Sequence, residues 1–325
     1  MRRFDRKRMT EFVLALSPVQ QAVLGQVLRL CRSDEQDVVA MVETRIQGPS
    51  RACPHCQGEH LVRNGHASGL QRYKCRGCGK TFNALTCTPM AGLRMKGKWL
   101  VQQQTLIEGL SVAKAAAKLG VARSTAFRWR HRFLALAQPV RARTLAGVVE
   151  ADETYFLYSS KGQDLPLGHV PRKARKRGGK ASAQHRASEL IPVLVARDRS
   201  SATADFVLEG ATKANIIQAL EPLLRSDAVL CTDGSLAMAT AAQHLGIQHE
   251  AVNLSEHVRT RGPWHIQNVN AYHARLKNWL RRFNGVASTY LPSYLAWFRA
   301  LDRAGQNASK PAPMLALALG LGSHH

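Results

Sequence analysis

The chain has 325 residues, with 46 Lys and Arg against 22 Asp and Glu, so its formal charge is +24. That length accommodates about two domains of ordinary size, and an apolar content of 45% gives them cores to bury. A cationic surplus on this scale concentrates polyanions around the molecule. Nucleic acid is the first partner it implies, an anionic membrane surface the second, and few enzymes of small metabolites carry such a field.

Spanning a bilayer takes a run of about 18 apolar residues, and the chain has none; its longest apolar tail, Met314 to Leu321, is interrupted by Gly320. Met1 to Arg8 is basic, but Glu11 follows and no apolar stretch leads to a cleavage site, so no secretory leader is expected. The seven cysteines then point to thiols or metal rather than to a disulfide framework.

Residues 1–48 read as an N-terminal helical segment, in which Ser17-Pro18 caps and opens a helix over Val19 to Leu30 and Gly48-Pro49-Ser50 breaks the chain. Residues 49–92 are rich in Gly, Cys and Arg. Here Cys53-Pro54-His55-Cys56 and Cys75-Arg76-Gly77-Cys78 stand eighteen residues apart, the spacing of a four-thiolate zinc ribbon. Each CxxC turn aims two thiolates at one ion, and Gly77 and Gly79 let the backbone turn tightly around the sulfurs. A structural Zn2+ is expected on Cys53, Cys56, Cys75 and Cys78; two redox-active pairs are the alternative. His55, His60 and His66 are expected to face solvent or phosphate, because four sulfurs complete the tetrahedron. Cys31, Cys87 and Cys231 read as small buried apolar residues.

Residues 95–138 carry a helix-turn-helix pattern. Ser111 caps a helix through Leu119, Gly120 makes the turn, and a second helix runs from Arg123 to Leu136. With Ala116, Leu119, Val121, Ala126 and Trp129 inward, the outward set is Arg123, Ser124, Thr125, Arg128, Arg130 and Arg132, nearly all hydrogen-bond donors suited to a DNA groove. A plain helical hairpin with a solvated basic face carries the same pattern.

From 144 to 303 strand-like and helical runs alternate, which predicts an α/β domain. Gly147 to Tyr155 reads as a buried strand with Asp152 near its exit; Ala228 to Thr232 is a second apolar strand followed by Asp233, Gly234 and a helix capped by Ser235. Acids at strand ends are costly unless a cation meets them. Magnesium is held by one or two carboxylates plus phosphate oxygens, so the implied substrate is a phosphodiester. The helical stretch His265 to Lys277 offers no carboxylate, but Asn270 and Lys277 are seven residues apart and share a face. An amide oxygen there would meet the metal while the ammonium meets a phosphate. Among competing acids, Glu150 shares a strand face with Asp152, Glu153 points oppositely, and Asp198, flanked by Arg197 and Arg199, is the best substitute ligand. The block Arg172, Lys173, Arg175, Lys176, Arg177 and Lys180 is expected to be a loop that clamps DNA backbone. Residues 304–325 show no amphipathic pattern and are expected to form a flexible tail.

These residues carry a resemblance. The Cys cluster, Val149 to Tyr155 with Asp152, Cys231 to Gly234 with Asp233, and Gln267 to Lys277 with Asn270 and Lys277 resemble the zinc-ribbon-bearing insertion-sequence transposases numbered fifteen-ninety-five. Within that family the match is to the Asp-Asp-Asn plus Lys subgroup; against the wider Asp-Asp-Glu pattern Asn270 is a departure. The resemblance implies a ribonuclease H-like mixed sheet flanked by helices, preceded by helical segment, zinc ribbon and helix-turn-helix. It also implies an enzyme that cleaves double-stranded DNA at transposon ends and joins the freed 3′ hydroxyl to target DNA. Asp152, Asp233 and Asn270 would hold Mg2+, with Mn2+ as a substitute, and Lys277 would position the phosphate. A homodimer or larger assembly on DNA, in the bacterial cytoplasm at the nucleoid, is expected with it. The alternative is a zinc-ribbon and helix-turn-helix regulator whose catalytic domain is inactive.

Overall fold

The computed structural model describes residues 11, 13–21, 34–47, 52–137, 141–162, 189–252 and 260–319. They fall into two compact units that divide between Leu100 and Val101. Cys31, Pro139 and the basic block from Arg172 to Lys180 lie outside the described residues.

In the first unit, Ser17 and Gln20 cap each other: Ser17 Oγ accepts from the Gln20 N–H and Gln20 Oε1 from the Ser17 N–H, the reciprocal bonding of a capping box. Helix α1 (Asp34–Gln47) has three acids in its first turn and Arg45 in its last, which suits its dipole. Strands β1 (Leu61–Ala67), β2 (Leu70–Cys75) and β3 (Thr81–Phe82) form an antiparallel sheet in the order β1-β2-β3. Its small core is Cys53, Tyr73, Cys75 and Phe82, with Ile46, Leu61 and Cys78 packed against it. Cys87 departs from expectation. It is exposed, in a left-handed conformation with φ 60°, because the short turns after β3 bury Ala84, Leu85 and Met90 instead.

Helix α2 (Trp99–Ile107) leads into the helix-turn-helix of α3 (Val112–Leu119) and α4 (Arg123–Ala135). Ser111 accepts from the Lys114 N–H, and Gly120, at φ 60°, ends α3. Arg123, Ser124 and Arg128 are exposed and Thr125 is half-buried. Arg130 is a correction: rather than facing outward, it is 2% exposed, donates to the Leu110 carbonyl and lies over the Phe283 ring. The heptad-like spacing that turns Ala126, Trp129 and Phe133 inward also carries Arg130 inward, where a carbonyl and an aromatic face receive it.

The α/β domain is a five-stranded mixed sheet in the order β6-β5-β4-β7-β8, built from β4 (Val148–Leu157), β5 (Leu190–Asp198), β6 (Thr203–Val207), β7 (Val229–Thr232) and β8 (Gln248–Ala251). Strands β4, β5 and β6 pair antiparallel, and β4, β7 and β8 parallel. One face packs α5 (Lys213–Leu220) and α6 (Leu236–Leu245) through Val149, Ala151, Leu194, Ala196, Ile216, Leu230 and Met238. The even residues of β4 face the other way, toward α7 (Gln267–Arg281), and α8 (Leu291–Ala304) packs against β6. This is the ribonuclease H-like mixed sheet flanked by helices that the resemblance implies. Helix α4 packs on α8, where His131 stacks on Tyr290 with ring centroids 3.8 Å apart, and Trp279 of α7 donates to the Leu106 carbonyl. The helix-turn-helix is thus fastened to the helices of the α/β domain within the second unit.

The expected flexible tail is also corrected. Gly305–Ser309 is a 3-10 turn and Pro311–Ala318 forms helix α9, with Met314, Leu315 and Leu319 buried. Its apolar residues bury without a helical stripe, which is why periodicity missed it.

On the face that α7 covers, Arg299 of α8, 3% exposed, pairs with Asp205 of β6, 1% exposed, and Asp205 also accepts from the Tyr272 hydroxyl. Removing one partner strands the other charge in the core. Arg299→Ala is therefore expected to cost about 3–5 kcal/mol of unfolding free energy, read from urea denaturation of the metal-replete protein; a loss below about 1 kcal/mol would mean that the pair is solvated.

Candidate active site and metal centre

The cysteine cluster closes as its spacing requires. The four Sγ atoms of Cys53, Cys56, Cys75 and Cys78 lie within 4.8 Å of one another, with Cys53 and Cys78 3.7 Å apart and Cys56 and Cys75 3.6 Å apart. Sulfurs around zinc, at about 2.3 Å from the ion, form a tetrahedron with edges of about 3.8 Å. The donor set fits, and the four residues form a zinc-binding cluster. His55, His60 and His66 are exposed. The backbone prepares the site: the Gln57 and Gly79 N–H groups bond back to the carbonyls of Cys53 and Cys75, closing the two turns. One zinc ion per chain is expected by elemental analysis, and Cys75→Ser is expected to abolish it and unfold the ribbon, seen as new cysteine accessibility; a ribbon that keeps its protection without metal would refute the structural role.

The second site lies in the α/β domain. Register brings its acids together. Glu150 pairs with Cys231 across the parallel strands β4 and β7; Asp152 lies two residues further along β4 and Asp233 directly follows β7, and the Asp233 carboxylate is close enough to raise the Asp152 pKa. Gly234 then reverses the chain at φ 83°, and an added Cβ would lie 3.3 Å from Ala251; Asp233 itself accepts from the Ser235 N–H, and Ser235 caps α6. Thr232 accepts from the Gly234 N–H and hydrogen-bonds His249, which ties the loop to β8.

Over the Asp152 face of β4 lies α7. His273 Nδ1 is 3.6 Å from Asp152 Oδ2, and Lys277 stands close enough to lower the Asp152 pKa. Asn270 is half-buried; it precedes His273 by three residues and Lys277 by seven, so all three fall on one helical face. Burial, then the neighbouring Asp233 carboxylate, push Asp152 up to about 6 against the Glu153 N–H and Lys277. Glu153 rises to about 7 through burial, Asp152 and Asp233, and burial plus Lys277 push His273 down to about 4, leaving it neutral. Crowded carboxylates held near neutrality, facing a neutral imidazole and one ammonium, form an oxygen-donor set that suits a divalent cation.

Asp198 is not among these residues. It pairs with Val149, three residues before Asp152, and its Oδ1 accepts from the Ser200 N–H, the Ser200 hydroxyl and the Ala202 N–H, closing the turn from β5 to β6. Short-range turn bonding explains the acid fully. Arg197 and Arg199 do not flank it as ion-pair partners: Arg197 bonds Thr203 and Asp302, and Arg199 reaches Glu150. Glu150 shares the Asp152 face as expected, but it is fully buried and occupied by the start of α7. His273 was passed over in the sequence; its three-residue step from Asn270 was the available signal.

Residues 144–299 match the model of the ISXO2-like transposase domain, and residues 94–139 that of a homeodomain-like domain. A protein in the transposable element ISH50 of Halobacterium salinarum is 27% identical over 251 residues, covering 76% of this chain and 83% of that one. Among solved structures, a simian T-cell lymphotropic virus intasome chain aligns over 60% of this chain and 66% of its own, at 13% identity and a TM-score of 0.28. A Mos1 transposase paired-end complex aligns over 65% and 77%, at 14% identity and a TM-score of 0.23.

A carboxyl whose pKa rises on folding, here from 3.8 to about 6, binds more protons folded than unfolded between those values. Its contribution to stability is complete below about pH 4 and is lost as pH rises through about 6. Asp152→Asn is therefore expected to stabilise the metal-free protein by about 3 kcal/mol at pH 8 and to leave it unchanged near pH 4. Equal stability of the two proteins at both pH values would show that Asp152 is solvated.

Proposed function

We propose that this chain, whose residues 144–299 match the model of the ISXO2-like transposase domain, is a transposase that binds the ends of an insertion sequence, cleaves their phosphodiester bonds and joins the freed 3′ hydroxyl to target DNA. The observation that supports this reading is the approach of Asp233, at the end of β7, to Asp152 of β4, with His273 and Lys277 of α7 close to Asp152 as well. Asp152, Asp233 and Asn270 would hold Mg2+, or Mn2+ in its place. When bound, such cations activate an attacking oxygen and neutralise charge developing on the phosphate. Lys277 is exposed, and its ammonium would hold a phosphate oxygen. The Asn270 amide gives an oxygen without a charge, so the site offers one negative charge fewer than three carboxylates would.

The parts before the site supply the DNA. The exposed Arg123, Ser124 and Arg128, with Thr125 beside them, present donors along the second helix of a homeodomain-like fold, the geometry of a helix entering the major groove. The chain's excess of cations contributes phosphate contacts without sequence preference, and Arg172, Lys173, Arg175, Lys176, Arg177 and Lys180 are assigned to the same role. Because two ends must meet in one reaction, the working form on DNA is a homodimer or a larger assembly.

The test incubates the purified protein with Mg2+, a supercoiled target and a duplex taken from the DNA flanking its own gene. Covalently joined products are expected, and Asp233→Ala is expected to keep DNA binding and lose them at least about a thousand-fold. Asn270→Ala should abolish joining, whereas Asn270→Asp retains part of it; full activity in Asn270→Ala would remove that residue from the site. Sequence-specific binding with the DNA left intact in Mg2+ and Mn2+ alike would instead mark a DNA-binding regulator.

A further inference from the structure

We infer that Glu150 is a positioning residue for the proposed reaction: from strand β4 it caps helix α7 and so sets how Asn270, His273 and Lys277 lie over Asp152 and Asp233. The inference rests on the transposase reading for its consequence, though not for its geometry.

A carboxylate with no exposed surface is tolerated only where donors replace water. Glu150 has them in unusual number. Its Oε2 accepts from the backbone N–H groups of Asn268 at 2.8 Å and Val269 at 3.0 Å, and its Oε1 from the Asn268 side-chain amide at 2.8 Å. Arg199 approaches Oε1 at 2.9 Å and His265 at 3.3 Å. Arg199 also bonds the Pro263 carbonyl, which draws the segment before α7 to the same point.

The first N–H groups of a helix have no partner within it and are ordinarily met by the side chain of the residue just before. Helix α7 has no such cap: Ile266 stands there, with no side-chain hydrogen bond. Glu150 takes its place from 118 residues earlier in the chain, and its charge suits the positive end of the helix dipole. A local cap fixes where a helix begins. A cap carried by a strand fixes the helix to that strand.

This strand also carries Asp152, two residues on and on the same face. A slip of α7 by one residue would turn its side chains by about 100° and shift them about 1.5 Å, enough to carry Lys277 and Asn270 off the acidic pair. The carboxylate of Glu150 ties the start of the helix to β4 and so prevents that slip. A buried ion pair kept only for stability would not need three of its donors to come from residues 268 and 269.

The test uses the full-length, zinc-loaded protein carrying Glu150→Gln, which keeps the shape and one acceptor oxygen. Hydrogen exchange of the amides of residues 268–271 is expected to speed up by about ten-fold or more, as for loss of a charge-assisted bond, while the β4–β5 amides stay within about two-fold of the parent. With DNA end substrate, the dissociation constant should change less than about two-fold and the saturated cleavage rate should fall by about fifty-fold. Glu150→Asp, which retains the charge, should recover part of that rate. Adding Lys277→Ala to Glu150→Gln should cost less than the same change costs the parent, because a displaced lysine has little left to lose.

Unchanged exchange at 268–271, a loss of protection spread evenly over the sheet, or full cleavage by Glu150→Gln would each overturn the inference. If Glu150→Gln does not fold, Asn268→Ala removes one donor only; it should speed exchange at the same amides by about three-fold, and no local effect would overturn the inference equally. A parent protein that leaves the DNA intact sinks the transposase reading, while the exchange data still decide whether Glu150 fixes α7.

Discussion

Two neighbouring carboxylates repel one another, and the fold around Asp152 and Asp233 holds them close enough for the repulsion to be felt at Asp152. The parallel pairing of β4 with β7 runs to Glu150 and Cys231, two residues before each acid, and so brings the ends that carry them side by side. Backbone N–H groups orient each acid, Glu153 donating to Asp152 and Ser235 to Asp233. The cost appears as a raised Asp152 pKa. Elsewhere the protein pairs its buried charges, as with Arg299 and Asp205 or Arg197 and Asp302. Here it brings like charges together with Lys277 to offset them, an arrangement that on the proposed reading belongs to a site rather than to a core.

The helix above the pair is fixed from two sides. Its inner face buries Val269, Tyr272, Leu276 and Trp279, and Tyr272 reaches the Asp205–Arg299 pair on the same face of the sheet. Its start is taken up by Glu150. The same helix holds the Leu106 carbonyl through Trp279, and α8 receives α4 of the helix-turn-helix through His131 and Tyr290. In the proposed reading, the groove-reading helix and the catalytic face therefore belong to one rigid part of the molecule, so that a DNA end read by α4 arrives in a defined direction relative to Asp152.

Much of this was legible in the sequence where the signal is local or obeys a fixed period. CxxC spacing brought four sulfurs together, Ser111 and Gly120 marked the ends of α3, and strand alternation placed Glu150 and Asp152 on one face. Long-range pairing was not legible. Nothing local says that Arg130 finds the Leu110 carbonyl, that Asp198 is spent on the turn to β6, or that Glu150 caps a helix more than a hundred residues away. In each case an ionisable residue that looked available for chemistry was taken by a backbone partner that only the fold supplies. The tail missed for a different reason: α9 is apolar on all sides, and a helix without a polar face has no periodicity to detect.

Asn270 ties these observations together. With an amide in the proposed third position, the acidic pair would contribute the charge of two carboxylates, and Lys277 on the same helical face offsets part of it. A site so arranged attracts cations less strongly than one with three carboxylates, and more of the balance falls to the phosphodiester itself. The chain's +24 charge works in the same direction, because it concentrates DNA around the protein before any cation need be held. On the proposed reading, such a protein would fill its acidic site fully only when a phosphodiester lies in it. The accuracy of the α7 placement then matters more than the depth of its charge, and that placement is what the buried carboxylate of Glu150 provides.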